Sequence, residues 1–226
     1  MGKKVRIDFH THTVFSNDAF TSMHHLNVFL KKNPDFIIAV TDHDEIKGAL
    51  EAKNLFGERI IVGEEVKSKQ GEIIGLFIES YIQSGLDAQE TIDMIHKQNG
   101  LVMIPHPFKK HGKSDSPLSR NLLFSLCEHF DIIEIFNARN RTPGANECAS
   151  VFAESLGKSQ AVGSDSHAIH ELGRTCVCLP EYRGAEGLVE NLKYGKHICR
   201  DILFSHRLLT RILREVRKRG VLWARY

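Results

Sequence analysis

Short apolar runs alternate with amphipathic stretches along most of this chain. The runs that predict strands lie at positions 5–12, 36–40, 60–62, 73–78, 101–104, 132–135 and 161–163. Helical periodicity predicts helices at 22–32, 46–56, 121–129 and 145–156, and another from 87 to a stop at Asn99-Gly100. Strands that mostly alternate with helices predict an α/β fold, either a parallel barrel or a doubly wound sheet.

Residues able to bind metals or move protons follow the predicted strands. They are His10, His12, Asp42, His43, Glu65, His106, Asn137, Asp165 and His167. In either α/β architecture the active site gathers at the carboxyl ends of the strands, so we expect these side chains to converge. His10 and His12, two apart on an extended segment, point to the same side. Asp42, Asp44 and Asp165 taken singly would also suit helix caps.

The types of side chain at these strand ends narrow the choice of ion. Histidine together with carboxylate suits zinc, manganese or iron, whereas calcium prefers a shell made only of oxygen ligands. The motifs contain neither a Ser-His-Asp nor a Cys-His arrangement, so the sequence predicts a metal centre and no protein nucleophile.

Composition excludes several other classes of protein. Lys and Arg number 30 against 28 Asp and Glu, a balance that does not indicate a nucleic-acid coat. Five cysteines without a Cys-x-x-Cys pair predict neither a disulfide framework nor a thiolate zinc site. Arg6 and Asp8 interrupt the first apolar stretch, so we expect no signal peptide and no membrane partner. We expect a single domain over 1–226 in the cytoplasm.

Five motifs, in this order, resemble those of the PHP (polymerase and histidinol phosphatase) domain. They are His10-Thr11-His12, Thr41-Asp42-His43-Asp44, Gly63-Glu64-Glu65, Pro105-His106-Pro107 and Ser164-Asp165-Ser166-His167. The resemblance runs from about residue 5 to 173. It implies a distorted (β/α)7 barrel that holds two or three divalent ions, zinc, manganese or iron.

The resemblance also implies how the ligands are shared among the ions. The first ion would be held by His10, His12, Glu65 and Asp165. Glu65 would bridge to a second ion that His106 also binds. His43 and His167 would hold a third ion.

Four further carboxylates have less defined roles. Asp18 lies near the position where the family places another ligand of the third ion. Glu72 stands where many members have a histidine, and a carboxylate can also bind these metals. Alternation along the chain turns Glu64 away from Glu65, and Asp8 is a candidate for orienting a histidine ring.

The predicted function is phosphoester hydrolysis. Two neighbouring ions can supply a metal-bound water as nucleophile, with Asp165 in the catalytic set and His167 or His43 protonating the leaving alkoxide. The expected substrate is a nucleotide or the 5′ end of a short oligonucleotide. The alternatives are a phosphomonoesterase acting on a small phosphorylated metabolite such as histidinol phosphate and, from another class, a non-catalytic metal-binding module. The oligomeric state stays open.

Cations on the predicted loops would bind the phosphate. Lys109, Arg139 and Arg174 each follow a strand-end motif, and each is a candidate. Loops 109–117 and 139–144 would decide between phosphomonoesterase and exonuclease activity. Residues 205–225 predict a basic amphipathic helix, either packed on the barrel with a solvated basic face or forming a nucleic-acid or partner surface.

Overall fold

The computed structural model describes residues 3–110 and 117–219, and within these ranges nine strands form one sheet. The strands are β1 Lys4–Thr11, β2 Phe36–Val40, β3 Ile60–Lys67, β4 Glu72–Leu76, β5 Leu101–Ile104, β6 Ile132–Asn137, β7 Ser159–Gly163, β8 Cys176–Pro180 and β9 Lys196–Ile198. Their order in the sheet is β7-β6-β5-β4-β3-β2-β1-β8-β9. Strand β4 runs antiparallel to both of its neighbours, and the other pairs among β1 to β7 are parallel.

Strands β1 to β7 wrap into a nearly closed barrel. Strand β7 returns to β1, where Thr11 and Ser166 form a parallel bridge. Beside this bridge the Asp165 N–H donates to the His10 carbonyl at 2.8 Å, and the His12 N–H donates to the Ser166 carbonyl at 2.9 Å. The predicted α/β barrel is therefore present, and its closing seam lies where the first and last predicted motifs meet.

Helices surround the barrel and cover its apolar strands. Within the described ranges they are α1 Met23–Lys32, α2 Lys47–Phe56, α3 Ala88–His96, α4 Arg120–Ser125, α5 Ala145–Ser155, α6 Gly184–Leu192 and α7 Phe204–Lys218. Ser22 caps α1 by accepting from the His25 N–H, and Asp87 forms a capping box with Glu90 at the start of α3. None of these helices is long and apolar enough to span a bilayer.

The strands differ most from the predicted ones in two places. β3 does not end near Gly63 but continues to Lys67, because residues 63–67 pair with the antiparallel β4. Glu65 therefore lies within a strand rather than after one. Strands β8 and β9 were not predicted, since they are short and follow the last recognisable motif.

Helix α7 faces the barrel with its polar side. Thr210 is buried and donates to Glu171 Oε1 at 2.7 Å, while Arg214 pairs with Asp18 at 2.9 Å. The apolar side chains Phe204 and Ile212 are 73% and 50% exposed. This orientation is opposite to the predicted packing with a solvated basic face. The predicted helix positions 220–225 lie outside the described residues.

Candidate metal centre

Five segments of the barrel deliver ligand-type side chains to one point. These side chains are His10 at the end of β1 and His12 directly after it, His43 after β2, Glu65 and Glu72 from the β3–β4 pair, His106 after β5, and Asp165 and His167 after β7. Groups of three among them place a ligand atom each within 4.8 Å of one another. Of the predicted metal ligands, these eight are brought together by the fold, and Asp18 joins them from the loop after β1.

Glu65 is the centre of this cluster. Its Oε2 lies 2.9 Å from His43 Nδ1, 3.3 Å from His10 Nε2 and 3.5 Å from His12 Nε2. Its other oxygen, Oε1, lies 3.3 Å from His106 Nε2, which is in turn 3.8 Å from Glu72 Oε2. One buried carboxylate therefore contacts histidines from three different strand ends, as expected of a bridging ligand.

Asp165 and Asp18 complete the side of the cluster opposite Glu72. Asp165 Oδ1 lies 3.4 Å from His12 Nε2, and Asp18 Oδ2 lies 3.2 Å from His167 Nε2. His167 Nδ1 donates to the Asp165 carbonyl at 2.8 Å, because a carbonyl can only accept. This bond fixes the ring so that its Nε2 is left for a ligand.

The donor atoms fit divalent ions. Among the described residues, His10 Nε2, His12 Nε2 and Glu65 Oε2 are buried and make no well-aligned hydrogen bond, and only ion-pair contacts between histidine rings and carboxylates hold them. Buried polar atoms without a partner are costly, so their convergence calls for a group that accepts several lone pairs at once. Imidazole nitrogens and carboxylate oxygens together suit zinc, manganese or iron.

Burial and neighbouring charges shift the pKa values of the clustered side chains in both directions. Burial alone would lower the pKa of His43, but Glu65 and then Asp18 raise it to about 10. The pKa of His12 is lowered well below its ordinary value by burial and by the neighbouring His43 and His167. Burial would raise the pKa of Asp165, yet His10 and Lys109 bring it well below its usual range. The lowered pKa values of Asp165 and Glu65 favour their ionised state, which is the state that binds a cation.

Glu134 on β6 contacts two of the candidate ligand residues and was not predicted. It is buried, and its Oε1 accepts from His10 Nδ1 at 3.1 Å. Its Oε2 accepts from the His106 N–H at 2.7 Å and from Asn137 Nδ2 at 3.1 Å. A Cβ on Gly163 would lie 2.2 Å from Glu134 Oε1, so only glycine leaves room for this contact. The signal was a single charge inside the apolar run Ile132-Ile133-Glu134-Ile135.

Two other buried carboxylates near the cluster, Asp8 and Asp42, serve the scaffold. Asp8 accepts hydrogen bonds from the backbone N–H groups of Ser164 and Gly173. The role of orienting a histidine ring, which was predicted for Asp8, belongs to Glu134. Asp42 accepts from Thr13 and Ser16, which holds the loop after β1. It is neither a ligand nor a helix cap.

Glu64 also points away from the cluster. It accepts from the Ile82 N–H at 3.0 Å, and burial raises its pKa to about 8. The prediction from alternation along β3 therefore describes its orientation correctly, although the side chain is buried and not in solvent.

Two ligand residues carry unusual backbone angles. His106 has φ +32° and Asp165 has φ +52°, both in the left-handed region that side chains larger than glycine rarely adopt. Such strain is found at functional sites, where the surrounding structure holds a residue in a required position.

A small cavity of about 130 Å³ opens onto the cluster. Lys109, Arg139 and Arg214 line it together with the ligand residues. Lys109 Nζ is 3.6 Å from Asp165 Oδ2, and Arg139 is paired with Glu171. Arg174 does not line the cavity, because its Nε donates to the Asp201 carbonyl. Arg214 of α7 was not predicted, since no motif marks it.

Sequence comparisons give two archaeal relatives and one family. The family described as PHP-associated matches residues 143–197. The uncharacterized protein MJ1587 of Methanocaldococcus jannaschii is 34% identical over 161 residues, which are 64% of this chain and 89% of that protein. The uncharacterized protein MJ0417 of the same organism is 31% identical over 180 residues, 78% of this chain and 71% of that protein.

Solved structures share the fold at low sequence identity. A two-domain protein from Bacteroides vulgatus, containing a predicted PHP-like metal-dependent phosphoesterase, has a TM-score of 0.66 and 17% identity. The match covers 84% of this chain and 62% of that one, so the chain spans less than two thirds of that protein.

Two further structures have similar scores. PsfC from Pseudomonas syringae has a TM-score of 0.65 and 15% identity, covering 97% of this chain and 100% of that one. Endonuclease Q, in complex with a 27-mer duplex with an abasic lesion at the active site, has a TM-score of 0.63 and 16% identity, covering 85% and 57%. These likenesses confirm the PHP-type α/β barrel. With the five motifs and the archaeal relatives, they show that this chain belongs to the PHP domain family.

Proposed function

We propose that this protein is a metal-dependent phosphoesterase that acts on nucleotides or on the 5′ end of short oligonucleotides. The observation that carries the proposal is the convergence of buried histidine and carboxylate atoms without hydrogen-bond partners on Glu65, beside a cavity lined with cations. The resident ions would be held by His10, His12, Glu65 and Asp165, by Glu65 with His106 and Glu72, and by His43 with His167 and Asp18.

The chemistry divides between the ions and the side chains around them. When bound, two such ions activate water and polarise a phosphoryl oxygen, which is the established use of paired metals in phosphatases and nucleases. Glu134 fixes the ring of His10 and the backbone of His106, so the ligand nitrogens keep their direction. Asn137 donates to Glu134 and Asp165, which links the two carboxylates.

Cations at the cavity wall orient the phosphate. Lys109, Arg139 and Arg214 face the space beside Asp165, where each can donate to a phosphoryl oxygen. His43 and His167 line the same cavity, and whichever ring is not engaged by an ion can deliver a proton to the leaving oxygen.

The preference for nucleotides is supported by one structural neighbour, and the cavity is compatible with it. A volume of about 130 Å³ is below the roughly 300–1,000 Å³ of sites that enclose a whole ligand, so the cavity takes a phosphate and leaves the rest of the substrate outside. Endonuclease Q, which has the same fold, was solved with a DNA substrate. A small phosphorylated metabolite such as histidinol phosphate is the second candidate, because a phosphate-sized cavity serves it equally.

The test is product analysis with a 5′-phosphorylated RNA and manganese- or zinc-loaded protein. We expect mononucleotides released from the 5′ end, loss of activity on chelation, and recovery when either metal is restored. Asp165→Asn and His10→Ala should abolish release, whereas His24→Ala, which removes an exposed histidine on α1, should not.

Two results would contradict parts of the proposal. Activity that survives complete chelation would exclude the metal mechanism. Release of orthophosphate alone, with histidinol phosphate as the better substrate, would replace the nucleotide proposal by the phosphomonoesterase one.

A further inference from the structure

A second, larger cavity lies next to the metal centre, between the loop after β6 and helix α7. Its volume is about 430 Å³. It is lined by Arg139, Arg141, Phe204, Arg207, Leu208, Arg211, Arg214, Glu215 and Lys218. We call this cavity the arginine groove.

The arginine groove adjoins the cavity at the metal centre. Arg139 and Arg214 line both spaces. A ligand whose phosphate sits at the metal centre would therefore extend past these two side chains into the groove. The metal-centre cavity holds only about 130 Å³, so the remainder of any larger substrate needs such a space.

Three of the six cations in the groove have carboxylate partners. Arg139 pairs with Glu171, Arg214 with Asp18, and Lys218 with Glu215. Among the described residues, Glu215 is the only acid that lines the groove, and it is already paired with Lys218. The groove therefore keeps an excess of positive charge.

The other three cations carry that excess. Among the described residues, Arg141 and Arg211 make no hydrogen bond or ion pair, and Arg207 donates only to the Ala138 carbonyl. The pKa of Arg207 is lowered by burial and then by the charges of Arg141 and Arg139. Three guanidinium groups crowded into one concave surface favour an anion, and guanidinium binds phosphate with two parallel hydrogen bonds.

An aromatic ring stands at the edge of the same groove. Phe204, the first residue of α7, is 73% exposed, and Leu208 beside it is 45% exposed. A phosphate alone gives no reason for exposed apolar side chains. A positively charged groove that tracks a backbone, combined with an aromatic ring on which a base stacks, is the usual arrangement for binding single strands.

We propose that the arginine groove binds the nucleotide adjacent to the scissile phosphate of a single-stranded oligonucleotide, when that internucleotide phosphate lies at the metal centre. Arg141, Arg207 and Arg211 bind the next phosphate, and Phe204 stacks on the base. The inference rests on the proposed phosphoesterase function and names the substrate class for that site.

The experiment compares two substrates in four proteins. The substrates are a 5′-phosphorylated dinucleotide and p-nitrophenyl phosphate, which carries no second phosphate and no nucleobase. The proteins are the wild type, the double variant Arg141→Ala with Arg211→Ala, Phe204→Ala, and Arg219→Ala as the matched control. Arg219 follows the last residue of α7 and does not line the arginine groove. The measured quantity is the ratio of kcat/KM for the two substrates.

We expect the ratio to fall on the order of 10-fold in the double variant, the lower end for a hydrogen bond to a charged group, and about 5- to 150-fold in Phe204→Ala, the range of one base stack. Arg219→Ala should leave it unchanged. An unchanged ratio in the double variant and in Phe204→Ala would overturn the inference. A nucleoside 3′,5′-bisphosphate serves as a third substrate, because it carries a second phosphate without a second nucleotide. Suppose that the double variant lowers kcat/KM for the bisphosphate, while Phe204→Ala changes kcat/KM for neither the bisphosphate nor the dinucleotide. The groove then binds phosphate only, and the nucleotide inference is wrong.

A binding measurement keeps the two proposals separate. Fluorescence anisotropy of a labelled 5′-phosphorylated trinucleotide with metal-free protein needs no catalysis. Each phosphate that is neutralised contributes about 0.7 to the slope of log affinity against log salt for single strands. We expect the magnitude of this slope to be smaller by about 0.7 in the double variant, because one phosphate fewer is neutralised. Normal binding without any hydrolysis would contradict the proposed function alone, and an unaltered slope would contradict the groove.

Discussion

The two ends of the barrel hold charged residues in different ways. At the amino-terminal end, Arg6 donates to both oxygens of Asp35 at 2.7 Å, and Arg59 donates to backbone carbonyls around the end of α1. At the carboxyl-terminal end, histidines and carboxylates crowd together, and several of their atoms have no partner among the described residues. The first arrangement satisfies its charges, and the second leaves ligand atoms available.

The larger cavity lies at the amino-terminal end, where the charged side chains are already paired. The cavity lined by Asp35 and Arg59 is about 940 Å³, whereas that at the metal centre is about 130 Å³. The larger volume therefore lies away from the candidate ligand atoms. Those buried atoms favour the carboxyl-terminal end as the candidate site, because folding gains nothing from placing them together unless another group binds there.

The largest effect should come from removing the central carboxylate. We expect Glu65→Gln to abolish phosphoesterase activity and metal retention, because one oxygen that contacts three histidines becomes an amide. Glu64→Gln is the matched control, since Glu64 is equally buried but accepts from the Ile82 N–H. Metal content by mass spectrometry and initial rates would be measured in both. Equal losses in the two variants would mean that only the strand was disturbed.

A smaller effect is expected from Glu134→Gln. Glu134 orients His10 and the backbone of His106 without facing the cavity, and partners of metal ligands typically contribute about 10- to 100-fold in metal affinity. Competition against a chromophoric chelator measures this affinity. Glu128→Gln, an exposed carboxylate preceding β6, serves as control. An affinity equal to that of the wild type would show that His10 is oriented by packing alone.

The smallest effect belongs to the amino-terminal end. The Arg6 guanidinium holds the pKa of Asp35 below its ordinary 3.8, so the pair stabilises the fold above that value and its contribution is lost as the pH falls through the lowered pKa. Because both side chains are partly exposed, we expect Asp35→Asn to cost roughly 0.2–1 kcal/mol at neutral pH.

Urea denaturation at several pH values measures this cost. It should be constant from about pH 8 to pH 5 and shrink in more acidic solution. Metal binding should not change. A cost that grows toward low pH would contradict the assigned pairing.

Sequence reasoning placed the strands and the ligand motifs well because both depend on local patterns. Apolar runs define the strands, and the carboxyl ends of parallel strands meet, so His10, His106 and Asp165 could be brought together without coordinates. Glu134 was missed because its partners are distant in the chain and only the closed barrel brings them into contact.

The orientation of α7 could not be read from its own sequence. A strong amphipathic pattern tells which side chains share a face, but not which face meets the protein. Here buried acceptors decide it. Glu171 and Asp18, already present on the barrel, pair with Thr210 and Arg214 and thereby draw the polar face inward.

The seam between β1 and β7 also orders events during folding. Residues 156 positions apart meet there, as when the Ser164 N–H donates to Asp8. Contacts between distant parts of a chain form slowly, because a long loop must close before they are gained. His10 and Asp165 sit on opposite sides of this seam, so during synthesis the ion-binding residues remain scattered until the last barrel strand has left the ribosome. A chain interrupted before that point carries the opening motif but has no complete site.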